Sequence, residues 1–401
     1  MWFDIREHTV NDPCRWSVPC YRTNLVAKLP SLFTGNPTRR HRRPGNVLDC
    51  IAVGENEDVL VSVDRGVGLI TLNRPKAINS LNHAMVTAMS RVLAEWKDDD
   101  DVTAVVIDGA GERGLCAGGD IVALYHSAKA DGPHKGREAR TFWYDEYLLN
   151  AQIGRFGKPY VALMDGIVMG GGVGVSAHGS VRVVTDTTKM AMPEVGIGFV
   201  PDVGGTLILS RAPGLLGYHA ALTGANFDGA DAIAMGFADH FVPHDRLADF
   251  KSAVVADGID AALAAHAVEP PPSQLAAQRD WIDHCYANDT ATDIVAALRG
   301  HGAGPAGEAA DLIETRSPIS VYVALEAVRR AAKLDTLEDV LRQNYRTSCA
   351  SLLSHDFVEG IRAQVVDKDR NPNWSPPSLA AVTTADVEAY FAPADRELEF
   401  P

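Results

Sequence analysis

The sequence predicts an α/β protein with a helical C-terminal section, on three observations. Short β-rich runs alternate with helical periodicity from Val59 to about residue 203, as in a layered α/β core. The loops Cys116–Asp120 and Met169–Gly174 are glycine-rich, and each joins a strand to a helix. From Gly204 onward the apolar spacing turns helical, with Pro270-Pro271-Pro272 as the best internal boundary. The chain divides accordingly into a basic N-terminal extension (residues 1–58), an α/β core (59–269), a helical section (270–377) and a C-terminal tail (378–401).

Val59–Val63 and Val67–Leu72 read as strands, and Asp64-Arg65-Gly66 supplies the turn residues of a hairpin between them. Asn82 can cap a helix whose apolar positions Met85, Met89, Val92, Leu93 and Trp96 recur at helical spacing; the acidic run Asp98–Asp101 ends it. Val102–Ile107 reads as a buried strand, Asp120 opens a second helix, and a long helix is expected over about 140–155. Strands follow at Tyr160–Met164, Val181–Thr185 and around Met190. Helices are then expected at Gly204–Arg211, Leu215–Thr223 and Gly229–Met235, followed by a short strand, Ala238–Val242. In the C-terminal section the spacing places helices at about 274–287, 290–299, 318–332 and 335–353.

At 401 residues, 46% hydrophobic and 22% charged, the chain can bury a sizeable core, which excludes a disordered or fibrous protein. Its net charge of −15 argues against a general nucleic-acid binder, whose phosphate contacts need a basic surface. That charge is uneven: residues 1–50 carry eight Lys/Arg against four Asp/Glu, and the remainder carries −19. Six dispersed cysteines without a CxxC fit neither a disulfide scaffold nor a structural zinc site, and no metal is expected. No run of about 18 apolar residues occurs, and the N-terminus lacks the apolar stretch of a secretory signal, so no membrane partner is expected. A cytoplasmic protein follows. An organelle matrix is the second reading, because Arg39-Arg40-His41-Arg42-Arg43 resembles part of an organellar presequence.

Glycine lets a backbone approach a ligand and aim N–H groups at it, and a helix N-terminus adds partial positive charge. Two such loops converging on one oxygen would form an oxyanion hole. A second pattern competes, since Gly172-x-Gly174-x-x-Ala177 fits a dinucleotide fingerprint and Glu194 lies twenty residues after Gly174. Against it, Glu194 follows Pro193 at the start of a Gly-rich segment instead of ending an apolar strand. Ser176 lies outside any Gly-x-Ser-x-Gly and reads as a helix residue, so a nucleophile elbow is not supported. By pattern alone, Glu194 could favour a helix N-terminus and Asp202 could cap the helix after it. On the same terms Asp120 is a cap, Glu146 a helix-surface carboxylate and Cys116 a packed small side chain.

Four ordered segments carry a family resemblance: Arg74-Pro75-Lys76-Ala77-Ile78-Asn79-Ser80-Leu81-Asn82, Cys116–Asp120, Gly170–Gly172, and the run beginning Pro193-Glu194. Together they resemble the crotonase (enoyl-CoA hydratase/isomerase) superfamily. The segments Met169–Ser176, Ala191–Gly205, His355–Ala363 and Asp367–Trp374 are similar to its 3-hydroxyisobutyryl-CoA hydrolase branch, and the likeness covers about Val59–Pro377. It implies a crotonase-like (ClpP/crotonase) spiral of ββα units. It also implies that the Gly119 and Gly171 N–H groups bind the thioester carbonyl oxygen. Glu194 matches the second of two hydratase glutamates, whereas the first falls on Gly174; Asp202 matches an aspartate the hydrolase branch places eight residues after the retained glutamate. Glu146 matches an acid facing the acyl group, and Lys76 lies in the segment placed beside the adenosine.

The resemblance therefore implies an acyl-CoA thioester hydrolase acting on 3-hydroxyisobutyryl-CoA, as in valine breakdown, with 3-hydroxypropionyl-CoA as a second substrate. Coenzyme A would be part of the substrate, and no cofactor is implied. One rival is an enoyl-CoA hydratase or isomerase using Glu146 or Asp202 in place of the missing carboxylate. Another is a CoA- or dinucleotide-binding protein without turnover. The superfamily favours trimers and their dimers, so a homo-oligomer is within the implied partners, and the extended C-terminal section bears on that interface.

Overall fold

The computed structural model describes residues 57–302 and 304–401; the basic segment 1–56, with its arginine cluster, lies outside the described residues. Eight strands follow in chain order: β1 (Val59–Asp64), β2 (Val67–Leu72), β3 (Ala104–Gly109), β4 (Tyr160–Met164), β5 (Ile167–Met169), β6 (Val181–Val184), β7 (Lys189–Ala191) and β8 (His240–Phe241). β1 and β2 pair antiparallel, with Asp64 opposite Val67. The turn residues Arg65 and Gly66 both have positive φ, 49° and 86°, as a two-residue hairpin of matching twist requires. The remaining pairings are parallel, giving a six-stranded sheet in the order β1-β2-β3-β4-β6-β8 and a separate β5-β7 pair. Every residue of β4 is buried, as expected of a central parallel strand covered on both faces.

The crossovers are helical. α1 (His83–Lys97) links β2 to β3, and α2 (Ile121–Lys129) with α3 (Arg137–Gly154) links β3 to β4. Asn82 and Asp120 cap α1 and α2, accepting from the N–H groups of Met85 and Ala123. The short α4 (Gly171–Gly174) follows β5, and α5 (Gly205–Arg211), α6 (Leu216–Thr223) and α7 (Gly229–Ala234) come between β7 and β8. α8 (Leu247–Asp257) and α9 (Ile259–His266) then cover the sheet, setting Phe250, Val254 and Ala262 against Val106, Val161, Leu163 and Val183.

The helical remainder comprises α10 (Arg279–Tyr286), α11 (Ala291–His301), α12 (Gly304–Thr315), α13 (Pro318–Ala331), α14 (Leu337–Ser351), α15 (His355–Ile361) and α16 (Thr384–Ala389). α14 packs along α3, and α13 packs on α5 and α6. α15 closes on the 3₁₀ helix Glu194–Ile197 so tightly that a Cβ on Gly198 (φ 70°) would overlap the Asp356 carbonyl.

Several boundaries differ from expectation. β3 begins at Ala104 instead of Val102, because the Val102 N–H closes a turn onto the Asp99 carbonyl at 3.0 Å. β8 is only two residues long, and the three-residue β5, hidden among glycines, has no sequence signal of its own. Ser176 lies in the turn just after α4, not in a helix, and its Oγ–H donates to the Gly172 carbonyl at 2.6 Å.

Candidate active site

The two glycine loops lie side by side. The Cys116 N–H donates to the Ile167 carbonyl at 3.0 Å and the Met169 N–H to the Cys116 carbonyl at 3.0 Å, which pins the first loop along β5. On its other flank the Leu81 N–H donates to Gly118 at 2.8 Å and the Asp120 N–H to Leu81 at 2.9 Å. Gly119 sits between these bonds, and Gly171 opens α4. Among the described residues neither of their N–H groups donates to a protein acceptor. A Cβ built on Gly118 would lie 3.7 Å from the Gly171 nitrogen, so the loops are in contact. Two free donors on adjacent loops are the elements of an oxyanion hole.

Three carboxyl groups gather here, with Glu146, Glu194 and Asp202 only 2%, 5% and 4% exposed. A Cβ on Gly170 would stand 3.0 Å from Glu194 Oε1, and one on Gly171 would stand 2.7 Å from Glu146 Oε1. The two glutamates therefore flank consecutive residues of one loop. Glu146 Oε1 and Glu194 Oε2 are buried without a protein partner. The helix-surface reading of Glu146 is corrected: the inward face of α3 carries it. Asp202 does not cap α5 either. Its carbonyl takes the Gly205 N–H at 2.7 Å, while its Oδ2 accepts from the Tyr147 hydroxyl at 2.7 Å.

Burial is the main electrostatic force on this cluster. It raises Glu194 and Glu146 well above the usual carboxylate range, and the Asp202 charge raises both further. Burial also pushes Asp202 up to about 7, opposed by the hydrogen bond from Tyr147. Acids packed this closely and raised by burial titrate as a group, which suits proton transfer.

The other sequence candidates fall into place around it. Lys76 is exposed on a 3₁₀ turn, Pro75–Ala77, outside the carboxyl cluster. Its segment is tied to the first loop by Asn79, whose Nδ2 donates to the Ala110 and Gly114 carbonyls at 3.0 Å each. Cys116 is fully buried and its thiol is pushed up to about 12 by burial, a packed and unreactive state. The dinucleotide pattern loses its geometry, because Gly172 and Gly174 lie within α4 and a Cβ on Gly172 would strike the Cys116 backbone. Among the described residues no group of three or more His, Cys, Asp and Glu is arranged to hold a metal ion.

Sequence reasoning missed four polar residues of the site. Tyr147 and Asn150 follow Glu146 on α3; Asn150 is fully buried, with neither amide atom paired. Their spacing from Glu146 was the available signal. Ser348 lies 2.7 Å from the Tyr147 hydroxyl, and Asn344, one turn earlier on α14, accepts from the Gly204 N–H at 3.0 Å. Nothing local marks these last two, since they meet the site only through tertiary packing.

Residues 67–391 match the model of the enoyl-CoA hydratase/isomerase family. The chain belongs to the enoyl-CoA hydratase/isomerase family. Its similar relatives include the mitochondrial 3-hydroxyisobutyryl-CoA hydrolase of Homo sapiens, 38% identical over 378 residues, covering 92% of this chain and 95% of that one. The protein of the same name from Danio rerio is 39% identical over 339 residues, 82% of this chain and 87% of that one. A crystal structure described as a carnitinyl-CoA dehydratase from Mycobacterium thermoresistibile is 72% identical with a TM-score of 0.83, covering 86% and 99% of the two chains. One described as an enoyl-CoA hydratase from Rhodobacter sphaeroides is 38% identical with a TM-score of 0.80, covering 86% and 100%. The crotonase-type fold expected from the resemblance is thus present. Relatives in this enoyl-CoA hydratase/isomerase family carry names for different reactions: 3-hydroxyisobutyryl-CoA hydrolase, carnitinyl-CoA dehydratase and enoyl-CoA hydratase.

Proposed function

We propose that this protein hydrolyses the thioester of 3-hydroxyisobutyryl-CoA, releasing 3-hydroxyisobutyrate and coenzyme A. One observation carries the choice: buried Asp202 is hydrogen-bonded by Tyr147 in the same cluster as Glu194, while the place of the first hydratase glutamate is occupied by Gly174. The relatives named 3-hydroxyisobutyryl-CoA hydrolase support the same reading.

Hydrolysis needs a polarised carbonyl, a base and a leaving group. The Gly119 and Gly171 N–H groups take the carbonyl oxygen, each donor contributing about 2.7–4 kcal/mol as charge builds there. Ionised Glu194 removes a proton from water as the water oxygen attacks the carbonyl carbon. The tetrahedral adduct then expels the CoA sulfur, which takes the proton back from Glu194. In a variant route Glu194 itself attacks the carbonyl carbon and the C–S bond breaks, releasing CoA thiolate, which is protonated by water; water then opens the resulting mixed anhydride to give the free acid and regenerated Glu194. Asp202 accepts the substrate 3-hydroxyl or orients the water, and Glu146 faces the acyl group. No cofactor enters this scheme, and Lys76 would meet the adenosine moiety. We assign the reaction to valine degradation, with 3-hydroxypropionyl-CoA as a second substrate. The cytoplasm, or an organelle matrix as in the relatives named mitochondrial, is its compartment. A homo-oligomer accords with the superfamily habit.

The test is free-thiol release across short acyl-CoAs with and without a 3-hydroxyl. Preferential release from 3-hydroxyisobutyryl-CoA is the expected result, and equal or absent release across the panel overturns the proposal. The second reading is hydration or dehydration of an acyl-CoA, favoured by the descriptions of the two similar crystal structures. Loss of conjugated absorbance from crotonyl-CoA, without thiol release, would establish it.

A further inference from the structure

Asp202 sets the proposed chemistry apart, and a directed hydrogen-bond chain holds it. The Tyr147 hydroxyl donates to Asp202 Oδ2 at 2.7 Å and lies 2.7 Å from Ser348 Oγ. A phenol carries one proton, so with that proton aimed at Asp202 the second bond takes its proton from Ser348. All three residues are buried. The links join α14, α3 and the turn before α5, three elements far apart in sequence.

The geometry points to Tyr147, oriented by Ser348, as the positioning residue that favours the charged form of Asp202 and fixes its carboxyl group toward the acyl group. The acyl part of this statement rests on the thioesterase reading; the positioning itself does not. A hydroxyl donating to a carboxylate is roughly twice as strong as a neutral pair. No cation forms an ion pair with Asp202 among the described residues. The titratable groups around it act otherwise. Glu146 on α3 and Glu194 on the 3₁₀ helix are acids that the Asp202 charge itself raises. His178, which meets the Val203 carbonyl at 2.7 Å, is held down to about 4 and stays neutral. Tyr345 meets the Tyr147 ring edge-on at 6.3 Å, and burial raises it and Cys349; Arg140 acts on that pair and not on Asp202. Tyr147 is therefore the side chain that favours the charged form. On the same helix as Ser348, Asn344 accepts from the Gly204 N–H at 3.0 Å and donates to Thr206 Oγ1 at 3.1 Å, bracing the turn that follows Asp202.

The experiment compares Tyr147→Phe and Ser348→Ala with Ser351→Ala, a buried α14 hydroxyl that bonds only the Thr347 carbonyl. Two readouts are taken on full-length protein: the pH profile of thiol release, and the Asp202 carboxyl titration by ¹³C NMR, with Asp202→Asn identifying the resonance. In Tyr147→Phe both the titration and the acid limb of kcat/KM move up by about one pH unit, and the rate at pH 7 falls about tenfold and recovers as pH rises. Ser348→Ala moves both in the same direction by less, and Ser351→Ala moves neither. An Asp202 titration unmoved in Tyr147→Phe, or a shift in Ser351→Ala matching that of Ser348→Ala, overturns the inference. Thermal melts show which variants fold, and Ser348→Ala carries the test if Tyr147→Phe does not. If the parent protein releases no thiol from any acyl-CoA, the thioesterase reading fails while the NMR titration still decides the role of Tyr147.

Discussion

Gly174 sits directly against Asn150: a Cβ built on the glycine would lie 2.8 Å from Asn150 Nδ2, and equally 2.8 Å from Val203 Cβ. The place where a hydratase carries its first glutamate is thus walled off by two side chains. Restoring the acid is therefore not expected to restore the reaction.

Gly174→Glu is expected to lower stability by about 1–3 kcal/mol through overpacking, without gaining crotonyl-CoA hydration. A melting curve and an absorbance assay on the same preparation check it. Hydration appearing with an unchanged melting temperature contradicts the packing argument.

Glu194→Gln and Asp202→Gly each lose thiol release from 3-hydroxyisobutyryl-CoA by at least about a hundredfold, the usual scale for a positioned acid or base. Parent-like rates in both would remove these residues from the mechanism. A single turnover in heavy-oxygen water, followed by mass analysis of the Glu194 peptide, separates the two routes. Label in the peptide means attack by Glu194 with water opening the anhydride at the enzyme carboxyl, and its absence favours a base acting through water.

The acid limb of kcat/KM should lie above the ordinary carboxylate range, because the reacting acids are raised by burial and by one another. Asp202→Asn removes one charge that raises Glu194, so the limb of its residual activity moves to lower pH. Stability carries the opposite sign from a salt-bridged acid. Asp202 has a folded value of about 7 against an ordinary 3.8, so ionising it costs stability as pH rises from about 4 to 7. Asp202→Asn should therefore melt higher than the parent at pH 8, with the difference shrinking toward pH 4. A constant difference across that range refutes the linkage.

The two oxyanion glycines should respond unequally to alanine. A methyl on Gly171 would stand 2.7 Å from Glu146 Oε1 and 3.2 Å from Leu81, whereas one on Gly119 meets only the Phe142 ring at 3.3–3.4 Å. Gly171→Ala is expected to cost about a hundredfold or more in kcat, comparable to losing one oxyanion donor, and Gly119→Ala distinctly less. Steady-state kinetics on the two variants checks the order; a reversed order means the loops rearrange around the new methyl groups.

Local signals proved legible. Asn82 and Asp120 cap the helices they announce, and both glycine loops stand where strand meets helix, because capping and positive φ are decided within a few residues. Asp202 misled for the same reason: an acid before a helix looks like a cap until Val203 and Gly204, with φ of 48° and 76°, turn the chain and send the carboxyl to Tyr147. The clamp on Asp202 comes from Tyr147, which Ser348 meets from α14, and nothing near Ser348 foretells that packing. Three-residue β5 stayed invisible because its pairing with β7, not its own composition, makes it a strand.

The order of manufacture has a bearing on α14. At about 5–20 residues per second, Ser348 is added roughly 7–30 s after Asp202. Through that interval a growing chain already carries its glutamates and its aspartate, with the helix that orients Tyr147 still unmade. A chain stopped before α14 therefore holds every acid of the site but lacks Ser348, the partner of the Tyr147 hydroxyl.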